Sequence, residues 1–236
     1  MLMKKILFFF ALIVWMPKLA FSDEHPNKWT GFHIGLGLGK GQVETEYSNY
    51  IPPNIILTDG LDELYKLKTD QRLYSLQFGY DYQFGKFVAG LEGGLIERKG
   101  KSEAWNWAGI DSSLAPIAYY SQEQEIKARL GYLIHDDWLL FVTAGATRAN
   151  MKFHFLNEDT LVQPDVAYTP LQGNRWGWNV GAGAEAYLVQ NISLRFDYSY
   201  SDYGKEPIEG VYFFPGTTRN YHFMDQKLVV SVQYRF

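Results

Sequence analysis

The sequence predicts an all-β chain closed into an eight-stranded antiparallel up-and-down transmembrane β-barrel with long extracellular loops. Three observations carry that expectation. Apolar and polar residues alternate with period two in segments of about ten residues, the length a tilted strand needs to cross a bilayer. The connections between those segments alternate short and long. Aromatics make up 17% of the chain, and glycine is abundant at 22 residues. Yet past the first two dozen positions no run approaches the roughly 18 consecutive apolar residues of a spanning helix.

Residues 1–22 read as a secretory signal peptide. Lys4 and Lys5 form the charged region, 6–16 the apolar region, and Ala20, Phe21 and Ser22 the small-residue cleavage site. The apolar run, broken by Pro17 and Lys18, is too short to anchor the chain as a helix. Residues 23–236 are then expected to form one exported domain. With no cysteine, disulfides and thiolate metal sites are excluded, so hydrogen bonds and packing must hold the domain. A formal net charge of −4 argues against a nucleic-acid partner, whose footprint would be basic.

The first strand is expected over 29–40, where Phe32, Ile34, Leu36 and Leu38 alternate with His33 and glycines. The second, 73–84, sets Tyr74, Leu76, Phe78, Tyr80, Tyr82 and Phe84 against Ser75, Gln77, Gly79, Asp81 and Gln83. The third, 87–97, puts Phe87, Ala89, Leu91 and Leu95 opposite Gly90, Glu92 and Gly94. The fourth, 124–134, alternates Ile126, Ala128, Leu130 and Tyr132 with Glu125, Lys127 and Arg129. In the fifth, 138–148, Leu140, Val142, Ala144 and Ala146 are placed outward because Thr143, Gly145 and Thr147 then face in. The sixth, 176–188, sets Trp178, Val180, Ala182 and Ala184 against Asn179, Gly181, Gly183 and Glu185. The seventh, 192–203, sets Leu194, Phe196, Tyr198 and Tyr200 against Ser193, Arg195, Asp197 and Ser199. The eighth, 224–236, sets Leu228, Val230, Val232, Tyr234 and Phe236 against Lys227, Ser231, Gln233 and Arg235.

Brief turns fall near 85, 136 and 190, and long polar segments at 41–71, 98–122, 149–175 and 204–223. Short turns and both termini therefore share one side, as in a barrel whose long loops face outward from the cell.

Alternation alone does not say which face meets solvent, because a soluble lipocalin-type barrel is apolar inside. The identity of the polar face decides it. Asp81, Glu92, Glu125, Glu185 and Asp197 share it with Lys127, Arg129, Arg195, Lys227 and Arg235, five acids against five bases. A narrow interior tolerates charges only when they pair, and glycines leave room for the long side chains. An outward surface of Phe, Tyr, Leu and Val would aggregate in water but suits lipid. Trp29, Tyr74, Trp138, Trp178, Tyr200, Tyr203 and Tyr234 stand near strand ends as candidates for interfacial girdles.

The stretches Ala128-Arg129-Leu130-Gly131-Tyr132, Val142-Thr143-Ala144-Gly145-Ala146, Gly181-Ala182-Gly183-Ala184-Glu185 and Leu194-Arg195-Phe196-Asp197-Tyr198-Ser199-Tyr200 resemble the small porin-like outer-membrane β-barrel family. That family includes proteins related to opacity proteins and to the membrane domain of outer membrane protein A. Gly31-Phe32-His33-Ile34-Gly35 and the closing Tyr234-Arg235-Phe236 match too, so the resemblance covers nearly all of 23–236. It implies the Gram-negative outer membrane as location, with outer-membrane lipid and lipopolysaccharide as surroundings. It also implies that Val232, Tyr234 and Phe236 form the signal read by the barrel-assembly machinery. The chain leaves no room for a peptidoglycan-binding domain after the barrel, so that tethering role is not expected.

No catalytic residue, cofactor or metal is expected. The enzyme alternative is a lipid A modifying activity, acyl transfer or deacylation, in which His33 would act with Asp111 and Ser112 or Ser113. The remaining histidines suit it poorly: His25 precedes the barrel, His135 sits in a turn of the periplasmic side, and His154 and His222 lie in long loops. Gly35 to Lys40 lacks the glycine and the Ser or Thr of a phosphate loop. Asp59, Asp62, Glu63 and Asp70 lack calcium-loop spacing.

Eight strands enclose only what side chains fill, so at most a narrow porin-like path is a further alternative. The aromatics of the long loops, Tyr47, Tyr50, Trp105, Trp107, Tyr119, Tyr120, Tyr212, Phe213 and Phe214, suggest contact with a host or surface ligand, or packing that caps the barrel.

Overall fold

A computed structural model describes residues 27–50, 65–100, 115–156, 171–209 and 218–236, and every regular element among them is a strand. The expected leader, 1–22, lies outside the described residues. The strands are β1 (Gly31–Tyr50), β2 (Tyr65–Phe84), β3 (Phe87–Lys99), β4 (Ala115–His135), β5 (Trp138–Leu156), β6 (Leu171–Val189), β7 (Ile192–Glu209) and β8 (Thr218–Arg235). Each pairs antiparallel with its sequence neighbours, and β8 closes on β1. Closure leaves no free sheet edge at membrane depth, the condition for a strand to cross hydrocarbon without unsatisfied backbone groups.

Register fixes the faces. Phe32 pairs with Tyr80, Leu91 with Ala128, and Phe196 with Val230, all pointing out, while Gly35 faces Gln77 and Gln233 inside. Because the side-chain period is two, a slip by one residue would turn the apolar face inward and the glycine, polar and charged face to lipid, so the pattern pins the pairing. Inside, backbones approach closely where side chains are absent. A Cβ at Gly145 would meet the carbonyl of Ile126 and stand 2.7 Å from Lys127 Cα.

The tight turns sit at 85–86, 136–137 and 190–191, on the same end as Trp29 and Phe236. Beneath them lies a small apolar plug of Trp29, Val88, Leu133 and Leu139, with Tyr187 packed against it. Trp29 is therefore not part of a lipid-facing girdle. It precedes the first strand and folds under the barrel mouth, where its indole Nε1 donates to the Asp136 carbonyl at 2.9 Å. Tyr203 is likewise inside, because on β7 the even residues face lipid and it is odd. Tyr74, Trp138, Trp178 and Tyr234 do face out.

The expected long loops are largely strand. Outward apolar residues stop at Leu38, Tyr74, Leu95, Ile126, Trp176, Tyr200 and Leu228, yet β1 runs on to Tyr50 and β8 begins at Thr218. Ten further residues of a strand tilted about 40° raise the wall roughly 25 Å beyond the apolar band. His154 and His222, expected in loops, lie on β5 and β8, and Tyr120, expected at a contact surface, is buried inside the wall. The sequence misleads here because the strand tips carry polar residues on both faces, so period-two contrast fades once the wall leaves lipid. The other loop aromatics lie outside the described side chains, as do Asp59, Asp62, Glu63, Asp111, Ser112 and Ser113.

The outer end of the wall is uneven: β3 stops at Lys99 while β2 and β4 run on beside β1 and β5, and a second seam opens between β6 and β7. Pairing between β6 and β7 ends at Trp178 opposite Asp202, while β6 continues along β5 to Leu171 and β7 continues along β8 to Glu209. A register shift between Asp202 and Lys205, centred on Gly204 at φ +76°, turns the tip of β7 toward β8.

Candidate functional site

The barrel interior is the first place where chemistry gathers, and its charges fall into two layers. In the layer nearer the turns, Arg129 reaches three acids: Nη1 donates to Asp81 at 3.1 Å and Glu92 at 3.3 Å, and Nη2 to Glu185 at 2.6 Å. Arg195 holds Glu92 with two parallel bonds of 2.5 and 3.0 Å and also pairs with Asp197. Arg235 donates to Asp81 at 2.8 Å and to the Trp29 carbonyl at 2.7 Å, joining this layer to the apolar plug. The Phe141 ring lies between the guanidinium groups of Arg129 and Arg195, 4.1 and 4.4 Å from its centroid. All ten charged residues expected on the polar face, five acids and five bases, are buried inside.

The layer nearer the outer rim is built on Glu123, which pairs with Arg98 and Lys227 and accepts from Thr147 at 2.9 Å and Tyr203 at 3.1 Å. Arg98 also holds Asp225, and Glu125 pairs with Lys227 and, at 3.0 Å, with Lys127. Arg98, Glu123 and Asp225 are absent from the sequence-predicted network. Their parity was available, since Arg98 follows Glu92 by six positions, Glu123 precedes Glu125 by two and Asp225 precedes Lys227 by two. The expected strand limits at 97 and 124 stopped just short of Arg98 and Glu123.

Among the described residues, Asp81, Glu92, Glu185 and Asp197 face only three guanidinium groups in the inner layer, whereas the outer layer holds three acids and three bases. His33 stands at the edge of the inner layer, its Nε2 3.6 Å from Asp81 Oδ2, with neither ring nitrogen hydrogen-bonded within the protein. His33, Asp81 and Glu92 also place ligand atoms within 4.8 Å of one another. Both carboxylates, however, already accept from Arg129, and each has a second guanidinium partner, so a divalent ion would face three fixed positive charges. The donor set fits ion pairing rather than a metal.

His33 sits two residues inside the turn-side end of β1, paired in register with Gly79 and Arg235. It is buried, and no serine hydroxyl among the described residues bonds to it. Val232, Tyr234 and Phe236 all face outward on β8 or just past it, with the Tyr234 and Phe236 rings in edge contact at 5.0 Å.

Above the apolar band, the β6/β7 seam opens a cavity of about 440 Å³ lined by residues that include Met151, Asn174, Arg175, Trp176, Tyr203 and Lys205. Arg175 crosses it to Glu206 at 2.7 Å, and that hydrogen bond holds the Glu206 carboxyl below its usual range.

Comparison with known proteins agrees with this architecture. The family model described as outer membrane protein beta-barrel domain matches residues 7–236. A 22 kDa outer membrane protein of Rhizobium leguminosarum bv. viciae is 31% identical over 126 residues, 53% of this chain and 49% of that protein. This chain therefore spans about half the length of that relative. The 31 kDa outer-membrane immunogenic protein of Brucella melitensis is 26% identical over 189 residues, covering 78% of this chain and 75% of the relative. The crystal structure of the outer membrane protein OprG from Pseudomonas aeruginosa superposes with a TM-score of 0.53 at 12% identity, covering 88% of this chain and 96% of that one, a likeness of fold. A closed eight-stranded wall, apolar outside and charged within, matched by that family model along nearly its whole length, places the chain in the outer membrane protein β-barrel domain family, located in the outer membrane.

Proposed function

We infer that this barrel is a surface-contact protein whose working part is the extracellular rim, with the spanning part serving as a rigid support. One observation carries the reading: two ion-paired layers fill the interior at membrane depth, while the wall continues past the lipid-facing band on the outer side. A barrel occupied in this way has little room for solute but offers a stiff platform on which loops can present side chains. Relatives described as outer-membrane immunogenic proteins suit a chain that reaches out of the membrane. The partner would be a host or environmental surface ligand.

The filled interior weighs against a narrow porin-like path. The position of His33 at the turn side, away from the outer leaflet, weighs against lipid A acyl transfer or deacylation. No cofactor enters this reading, and assembly through Val232, Tyr234 and Phe236 is part of it.

The test replaces residues 157–170 and 210–217 with short Gly-Ser turns and compares attachment of cells bearing either form to cultured host cells. Heat-modifiable gel migration serves as the control for folding. The reading expects a compact trimmed barrel with attachment reduced to that of cells lacking the protein. Undiminished attachment by a folded trimmed barrel would refute it.

A further inference from the structure

The β6/β7 seam is a built site at a defined depth. Its floor is set by Trp178 and Tyr200, whose rings meet at 5.5 Å, and Trp176 is the next and last outward aromatic of β6. Directly above, among the described residues, 171–177 of β6 and 203–209 of β7 share no ladder, and the Arg175–Glu206 pair spans the gap. Gly173 and Gly204 border open space: a Cβ at either would touch nothing within 4 Å. With Trp176 on its lining, the opening sits at the outer boundary of the apolar band, the place where acyl chains give way to headgroups.

Its side chains have a matching chemistry. Arg175 and Lys205 line it against the single acid Glu206, and Arg148 stands beside it with its guanidinium 5.8 Å over the Trp176 ring. Among the described residues neither Arg148 nor Lys205 has a carboxylate partner, and Arg148 Nε is buried without a hydrogen bond. Trp176 is 66% exposed, an aromatic face turned outward at the height where a pyranose ring would lie. Cations in a wet pocket bind phosphate oxygens, an exposed indole stacks on a sugar face, and the Asn174 amide can meet hydroxyls. A volume of about 440 Å³ is within the range of small-ligand sites and holds a phosphorylated hexosamine.

We propose that the seam between β6 and β7 binds a phosphorylated sugar headgroup of the outer-leaflet glycolipid, with Arg175 and Lys205 on the phosphate and Trp176 against the sugar. Arg175 is shared between Glu206 and the phosphate, so binding loosens the strap across the seam while the glycolipid bridges its two rims. The site requires only the membrane placement of the barrel, and it stands or falls separately from the attachment role of the loops.

The experiment uses the folded full-length barrel in detergent, with native mass spectrometry of retained lipid. The probes are monophosphoryl lipid A, its dephosphorylated form and free glucosamine 1-phosphate. The variants are Arg175→Gln with Lys205→Gln, Trp176→Ala, and Arg72→Gln, an exposed cation on the opposite wall. The site predicts that the phosphorylated lipid is retained by the wild type and by Arg72→Gln, and that retention falls at least about tenfold in the double variant and in Trp176→Ala. The dephosphorylated lipid and the free sugar phosphate should bind more weakly than the intact lipid.

Equal loss in Arg72→Gln would mean diffuse rim electrostatics and overturn the site. So would undiminished retention in the double variant with its compact gel band intact. Free glucosamine 1-phosphate binding as tightly as the lipid would overturn the assignment to a membrane glycolipid in favour of a soluble ligand.

Discussion

At the scale of single residues, Glu92 shows how the interior is held. It is buried, receives both arms of Arg195 and one of Arg129, and lies opposite Lys127 in the β3–β4 register. Removing one member of such a network leaves the others desolvated, which costs more than the network itself contributes. Glu92→Ala is therefore expected to lower unfolding stability by about 3–5 kcal/mol, measured by urea titration of the barrel in lipid vesicles. Glu92→Leu combined with Arg195→Leu should cost less than Glu92→Ala, because the pair goes together and apolar groups replace it. A loss under about 1 kcal/mol for Glu92→Ala would show that water, not protein, satisfies these charges.

At the scale of elements, the tips of β6 and β7 differ from the rest of the wall. Above Trp178 these two strands share no ladder and are joined by the Arg175–Glu206 pair. Glu206 has its folded-state pKa depressed by the hydrogen bond from Arg175, so its contribution is complete above the ordinary carboxylate range and is lost as pH falls through the folded value. Hydrogen–deuterium exchange of residues 171–177, corrected for the intrinsic rate, should show protection at pH 7 that declines at acid pH. Glu206→Gln should show the low protection at both. Protection independent of pH in the wild type would mean that the strap does not hold the seam.

The strand cores were legible because lipid contrast is strongest there. Leu194, Phe196, Tyr198 and Tyr200 against Ser193, Arg195, Asp197 and Ser199 leave one assignment of faces, and the structure has it. The tips were not legible, since polar residues stand on both faces there: Glu44, Glu46 and Asp70 point out while Thr45, Thr69 and Gln71 are buried inside. The network was found only as far as the strands were followed: Asp81, Glu92, Arg129 and Arg195 were visible, while Arg98 and Glu123 lay beyond the expected limits. The seam left no sequence signal of its own, because Gly204 after Tyr203 looks like any loop glycine, and only pairing partners reveal that β6 and β7 have parted.

At the scale of the whole molecule, the account rests on an inside-out arrangement: charges enclosed, aromatics in lipid, and a wall closed by β1 against β8. The chain contains no cysteine, so single cysteines can be placed without interference. The most direct measurement puts them along β7 at Ser193, Leu194, Phe196, Tyr198, Ser199 and Ser201, labels each with a small fluorophore in the vesicle-inserted barrel, and records quenching by brominated acyl chains. The account predicts strong quenching at 194, 196 and 198 and little at 193, 199 and 201. The reverse alternation, or no quenching at any of the six, would contradict it and return the chain to a soluble barrel with its apolar face enclosed.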